Sequence, residues 1–203
     1  MTNWTASHGT PGPRDQRHLK ELIEREFERS LRFLIPVMNA VGRRRLDYDV
    51  INMIVQDAHS RSGSQFHVIL LGDNNLRDME PLDSLIGKFT YLVQALSYVP
   101  NCNIILVSIL PSPKTNQKFL EANFRLKNLA NRHFNFCSYL DLERSRFFLN
   151  NGDINESLYY DRIHLKDSGS EILAKLIFNH CLSLGTVKML IRAVALSLIF
   201  KSF

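Results

Sequence analysis

The chain alternates between short apolar runs and longer amphipathic stretches, and that alternation sets the fold class. Residues 66–71 (Phe-His-Val-Ile-Leu-Leu) and 103–110 are nearly continuous apolar segments rich in β-branched side chains. Such runs fit strands buried on both faces of a parallel sheet. Between them Leu82, Leu85, Ile86, Phe89, Leu92, Val93 and Leu96 recur at helical spacing, and Pro100-Asn101 ends that helix. A further helical pattern covers 119–133 and leads into a strand over 134–140. Upstream, 37–41 reads as a short strand. Val50, Ile51, Ile54, Val55 and Ala58 then form the apolar side of a helix capped by Asp47 or Asp49. Strand, helix, strand, helix, strand predicts right-handed crossovers. The expected fold is α/β: three layers, α/β/α, around a central parallel sheet.

Two helices extend this plan at the ends. Leu19, Leu22, Ile23, Phe27, Leu31 and Leu34 follow Asp15 at helical spacing, and Pro36 stops them. At the other end 167–184 reads as the closing helix, with Ile172, Leu173, Leu176 and Ile177 inward, and Gly185 separates it from an extra C-terminal helix. Residues 1–14, rich in Gly, Pro and Thr, read as a loose arm. The remainder, 15–203, reads as one domain, and 203 residues at 45% hydrophobic content suffice for a core.

Ligands of an open α/β sheet sit at the carboxyl ends of its strands. One polar turn, Gly72-Asp73-Asn74-Asn75, follows the 66–71 strand directly. A second, Tyr159-Tyr160-Asp161-Arg162-Ile163-His164-Leu165, precedes the closing helix, and the two are expected to meet in space. At the spacing of Asp161 and His164 a carboxylate can hold one ring nitrogen and leave the other for proton transfer. Gly72 permits a sharp turn, and the Asn74 amide can donate to a developing oxyanion. Singly, each residue has an ordinary structural use: a turn cap for Asn74, a backbone bond for Asp161, a half-buried ring for His164. Together they supply an orienter, a base and one oxyanion donor.

In that order and spacing the blocks resemble those of the SGNH (GDSL-type) hydrolases. The family's G-x-N-D block is matched by Gly72-Asp73-Asn74-Asn75, and its D-x-x-H block by Asp161-Arg162-Ile163-His164. Residues 104–111 and Glu121-Ala122-Asn123 resemble the intervening strand and helix, and Gly42 stands where the second-block glycine is sought. The likeness runs from about residue 39 to 182. Two departures stand out. No Gly-Asp-Ser occurs to supply the family's nucleophile, and Asn75 replaces the aspartate that ends G-x-N-D. Ser7, in Ala-Ser-His-Gly, lies upstream but follows no apolar strand.

Charge adds a second theme. The formal net charge is +5 and the pI near 9.2, a balance that suits an anionic partner. Arg43-Arg44-Arg45 has no acid between Glu28 and Asp47, and none follows Glu171 in the tail that carries Lys188 and Arg192. With these features and no Gly-Asp-Ser, the chain is similar to the OSK domain of Oskar, the insect germ-plasm organiser. That resemblance implies a catalytically inactive hydrolase scaffold. It would bind mRNA 3′ untranslated regions, such as those of nanos and oskar, in germ-plasm ribonucleoprotein granules, with granule proteins as partners. Arg43, Arg44, Arg45, Arg162, Lys188 and Arg192 are the candidate RNA contacts, with Tyr159 and Tyr160 placed to stack on bases. Two alternatives compete: a working esterase or deacetylase with an unrecognised serine, and a protein-interaction module that docks through its C-terminal helix.

The remaining composition narrows the setting. Cys102, Cys137 and Cys181 are odd in number and widely spaced, which argues against a disulfide framework or a zinc knuckle. No metal or cofactor is expected. The run 187–203 is short and interrupted by Lys188, Arg192 and Lys201, so no membrane span is expected and a cytoplasmic location follows.

Overall fold

The computed structural model describes residues 38–41, 45–60, 66–110, 116–142, 147–161 and 164–200. For 38–41, 116–117 and 185–200 the description covers the backbone only. Four strands form one parallel sheet: β1 (Met38–Val41), β2 (Phe66–Ile69), β3 (Ile104–Val107) and β4 (Cys137–Leu140), in the order β1-β2-β3-β4. The registers pair Val68 with Ala40 and Ile105, and Ile105 with Ser138. Helices α1 (Tyr48–Ser60), α2 (Asp73–Arg77), α3 (Leu82–Ser97) and α4 (Asn116–Arg132) lie in the connections, and α5 (Asp167–Phe200) follows the sheet.

Strand periodicity divides the core in two. Ile69, Ile104 and Leu106 point to the face covered by α1, α3 and α4, where Ile51, Ile54, Phe89, Leu92, Phe119 and Leu126 are buried against them. Phe66, Val68, Ile105 and Val107 point to the other face, where Leu173, Ile177, Phe178 and Cys181 of α5 pack. A sheet in consecutive order with right-handed crossovers carries its connecting helices on one side. That leaves the opposite face for α5. Every residue of β2 and β3 is buried, which explains why both read as unbroken apolar runs.

The expected α/β architecture is present, with local differences. Asp47, not Asp49, caps α1, through a 2.9 Å bond from the Val50 N–H to its Oδ1. Strand β4 starts at Cys137 because His133 to Phe136 form a turn after α4. The expected break at Gly185 is corrected: α5 runs unbroken from Asp167 to Phe200, about 50 Å at 1.5 Å per residue. One internal glycine costs a helix only about 1 kcal/mol relative to alanine. The residues beyond it, with no proline, repeat good helix formers. The expected 15–34 helix lies outside the described residues. Among the described residues no helix is long and apolar enough to cross a membrane.

Candidate active site

The first half of the site grows from the end of β2. Gly72 adopts φ +105°, the left-handed region, and a Cβ there would sit 2.9 Å from Ile109 Cδ1 and 3.3 Å from Phe89 Cε2. Conformation and space both select glycine. The turn launches α2, which raises Asp73 and Asn74 at the sheet's carboxyl edge. Asn75 faces inward, fully buried. Its Oδ1 accepts the Leu46 N–H at 2.8 Å, while its Nδ2 donates to the Leu46 carbonyl at 3.0 Å and to Glu80 Oε2 at 2.6 Å. This explains the departure from aspartate. A carboxylate has no donor for Leu46 O and would press against Glu80, whereas an amide fits both. Through this clamp the segment that follows β1 is fastened to the turn that follows β2.

Arg77, which sequence reasoning passed over, sets the side chains at the head of α2. Its guanidinium pairs with Asp73 Oδ2 at 2.9 Å and donates to Asn74 Oδ1. The i,i+4 and i,i+3 spacings within a short helix were the available signal. Arg77 thus holds the Asn74 amide by its oxygen. Burial pushes the Asp73 carboxyl up from its ordinary value, opposed by the positive charges of Arg77 and His164.

The second half of the site is the turn before α5. An antiparallel bridge joins Tyr159 to Leu165, and the Lys166 N–H donates to Leu158 O at 2.8 Å. Asp161 grips His164 twice: its Oδ1 accepts the His164 backbone N–H at 2.8 Å and its Oδ2 meets Nδ1 at 2.6 Å. An ionised carboxylate only accepts, so the proton lies on Nδ1 and Nε2 is the basic nitrogen. The imidazole is buried while Asp161 remains half exposed. Gly169, in the first turn of α5, permits this closeness, since a Cβ there would lie 2.8 Å from the Leu158 carbonyl oxygen. Gly169→Ala should therefore displace the turn that carries His164. A loss of about 1–3 kcal/mol in denaturant unfolding is expected, with reduced turnover.

The remaining expected residues are distributed as follows. Arg45 is partly exposed and pairs with Asp78 Oδ2 at 3.2 Å and Glu80 Oε2 at 3.0 Å, so its charge has an internal use. Gly42, Arg43, Arg44, Arg162 and Ser7 lie outside the described residues. Lys188 and Arg192 fall on the distal part of α5, where only the backbone is described. Tyr159 is buried and Tyr160 exposed. Among the described residues, no three His, Cys, Asp or Glu side chains gather as a metal site would require.

No family model matches the chain, and no curated protein sequence does either. Solved structures do. A Bacteroides fragilis protein assigned as an acylhydrolase aligns over 83% of this chain and 83% of its own, at TM-score 0.64 and 17% identity. A GDSL-like lipase from Bacteroides thetaiotaomicron aligns over 88% of this chain and 94% of its own, at TM-score 0.63 and 16% identity. A family 3 carbohydrate esterase from Talaromyces cellulolyticus aligns over 69% of this chain and 67% of its own, at TM-score 0.58 and 17% identity. The fold is that of the SGNH/GDSL-like hydrolases. The likeness is to this fold as a whole, and nothing in it leads to the OSK domain.

The expectation that the domain is not an enzyme is corrected by this comparison. The proteins that share its fold are named as esterases and lipases. A missing Gly-Asp-Ser block is therefore a poor ground for denying catalysis to a chain in which Asp161 is bonded to the His164 imidazole.

Proposed function

We propose that this domain hydrolyses esters by acyl transfer, with His164 as the general base, Asp161 as its orienter and Asn74 as an oxyanion donor. The observation that carries the reading is the double grip of Asp161 on His164, which fixes both ring orientation and tautomer. In this scheme Nε2 takes the proton of an attacking hydroxyl as that oxygen bonds to the ester carbonyl carbon. The carbonyl oxygen becomes an anion, which the Asn74 amide stabilises. The imidazolium then protonates the departing alcohol. Water, deprotonated by the same nitrogen, releases the acid and frees the hydroxyl.

The attacking hydroxyl is sought among residues outside the described set, where Ser7 is the sequence candidate. Ser108 bonds Tyr139 Oη, the Leu140 carbonyl and the Leu142 N–H, and Ser138 bonds His180, so both are occupied in packing β4. Hydrolysis of p-nitrophenyl acetate by the purified chain tests the reading. Asn74→Ala should lower kcat roughly 100-fold with little change in KM, the signature of a donor used in the transition state. An Asn74→Ala variant as fast as wild type removes that residue from the mechanism. A wild type that cleaves neither short nor long acyl esters removes the hydrolase reading itself.

A further inference from the structure

The amino edge of the sheet, opposite the candidate site, gathers exposed apolar surface. Helices α1, α3 and α4 end there and the strands begin there. Its segments are bonded side by side: the His67 N–H donates to Asn103 O at 2.7 Å, and the Ile104 N–H to Phe136 O at 2.7 Å. Tyr98 follows α3 and Phe134 follows α4 on these loops. At 82% and 76% exposure they are the two most exposed large apolar side chains among the described residues. Helix α5 leaves the domain at the same edge. His180 Nε2 lies 3.0 Å from Ser138 Oγ, which sets that turn of α5 level with the start of β4. Leu182 and Leu184 still pack on the second core. The helix then continues over residues 185–200, about 24 Å at 1.5 Å per residue, past the end of the sheet.

We infer that the distal part of α5 and the amino-edge loops together form a docking surface for a bilayer rich in anionic lipid. Residues 185–200 are mostly apolar, and their two charges, Lys188 and Arg192, are both positive. Four residues apart, these two share one side of the helix, while Leu190, Val194 and Leu198 share another. No acid occurs from 172 to 203. Among the described residues, Asp57 is the one acid in the last helical turns and loops of this edge, where Arg132 is exposed. Apolar positions beside cations and exposed rings suit a helix lying in the headgroup region, with its cations among the lipid phosphates. The stretch is too short, and its charges too central, to cross the bilayer. A second copy of this chain would bring further cations to a face with almost no acid to answer them. The inference is independent of the hydrolase reading. In this orientation the candidate site at the carboxyl edge faces water.

The test is co-sedimentation of the full chain with vesicles of phosphatidylcholine alone and of phosphatidylcholine with roughly 30% phosphatidylserine. Binding to the mixed vesicles should exceed binding to the neutral ones at least about tenfold and should weaken as salt is added. Lys188→Gln combined with Arg192→Gln should lower the partition by about fivefold for each charge removed. Tyr98→Ser combined with Phe134→Ser, on the loops rather than the helix, should lower it several-fold, with circular dichroism confirming that each variant folds. A wild type that sediments with neither vesicle, or equally with both, overturns the inference. So does a charge variant that binds as the wild type does. Should that variant not fold, unchanged binding by the Tyr98/Phe134 variant overturns it instead. Two other occupants have their own signatures. A dimer in sedimentation velocity that Leu190→Asp dissociates, without vesicle binding, assigns the face to a second copy. Retention of an RNA oligonucleotide through Lys188 and Arg192, again without vesicle binding, assigns it to nucleic acid. Either result overturns the lipid reading.

Discussion

His164→Ala is expected to lower kcat/KM for p-nitrophenyl acetate by about 1,000-fold or more while the protein still folds. The size follows from the two tasks assigned to one nitrogen. It takes the proton of the attacking hydroxyl and later returns it to the leaving alcohol, and loss of a triad member typically removes most of the catalysis above what the oxyanion donor and binding alone supply. Folding should survive because the antiparallel bridge between Tyr159 and Leu165 holds the turn, together with the Lys166-to-Leu158 bond. The imidazole itself closes neither. The check is a steady-state comparison with matched circular dichroism. Equal rates in the two proteins would mean that the observed hydrolysis occurs elsewhere on the molecule.

Glu80→Ala should be the most damaging single change to stability, costing about 3–5 kcal/mol. The carboxylate is buried and accepts four bonds: from Lys88 at 2.6 Å, Ser84 at 2.7 Å, Asn75 at 2.6 Å and Arg45 at 3.0 Å. It ties together the segment after β1, the end of α2 and the start of α3. Its removal strands Lys88 and the Asn75 amide in a poorly solvated site, which is where the cost arises. Burial alone would raise its pKa, but the bonds from Lys88, Ser84, Asn75 and Arg45 outweigh that and hold it at about 2, against an ordinary 4.5. Because the folded value is depressed, the unfolded chain takes up the proton first as pH falls. The contribution is therefore complete above roughly pH 5 and is lost between there and pH 2. Urea unfolding of wild type and Glu80→Gln across that range should converge as the medium becomes acidic. A gap that stays constant from pH 7 to pH 2 would show that the carboxylate's charge is not what holds these elements.

The parts of this fold that were legible in the sequence are those governed by periodicity. Phe66 to Ile69 and Ile104 to Val107 are apolar throughout because both faces of the sheet are covered, and the apolar stripe of α3 lies against β2 and β3 as its spacing indicates. The acid–imidazole turn and the Gly72 turn were legible because their chemistry is local, within three residues in each case. What could not be read are partnerships that close over long distances. Asn75 meets Leu46 across 29 residues, and Arg45 meets Asp78 and Glu80 across 33 and 35. Arg45 stands beside Arg43 and Arg44 in sequence, while the acids it pairs with lie far along the chain. Gly185 misled for the opposite reason. Local propensity suggested a break that about 1 kcal/mol is too small to enforce in a helix this long.

The departure at Asn75 carries a lesson for reading motifs. By pattern alone, asparagine in place of aspartate looks like decay. In its setting it supplies donors that aspartate lacks, towards Leu46 O and a carboxylate already lodged at Glu80. The absent Gly-Asp-Ser invites the same caution, since Asp161 holds His164 by two bonds and Arg77 holds the Asn74 oxygen.

Covalent labelling with a fluorophosphonate, followed by peptide mass spectrometry, tests the acyl-transfer account most directly. The account predicts a single adduct, on a hydroxyl side chain, formed readily by the wild type and at least about 100-fold more slowly by His164→Ala. No adduct in the wild type, or one that forms at the same rate without the imidazole, would contradict it.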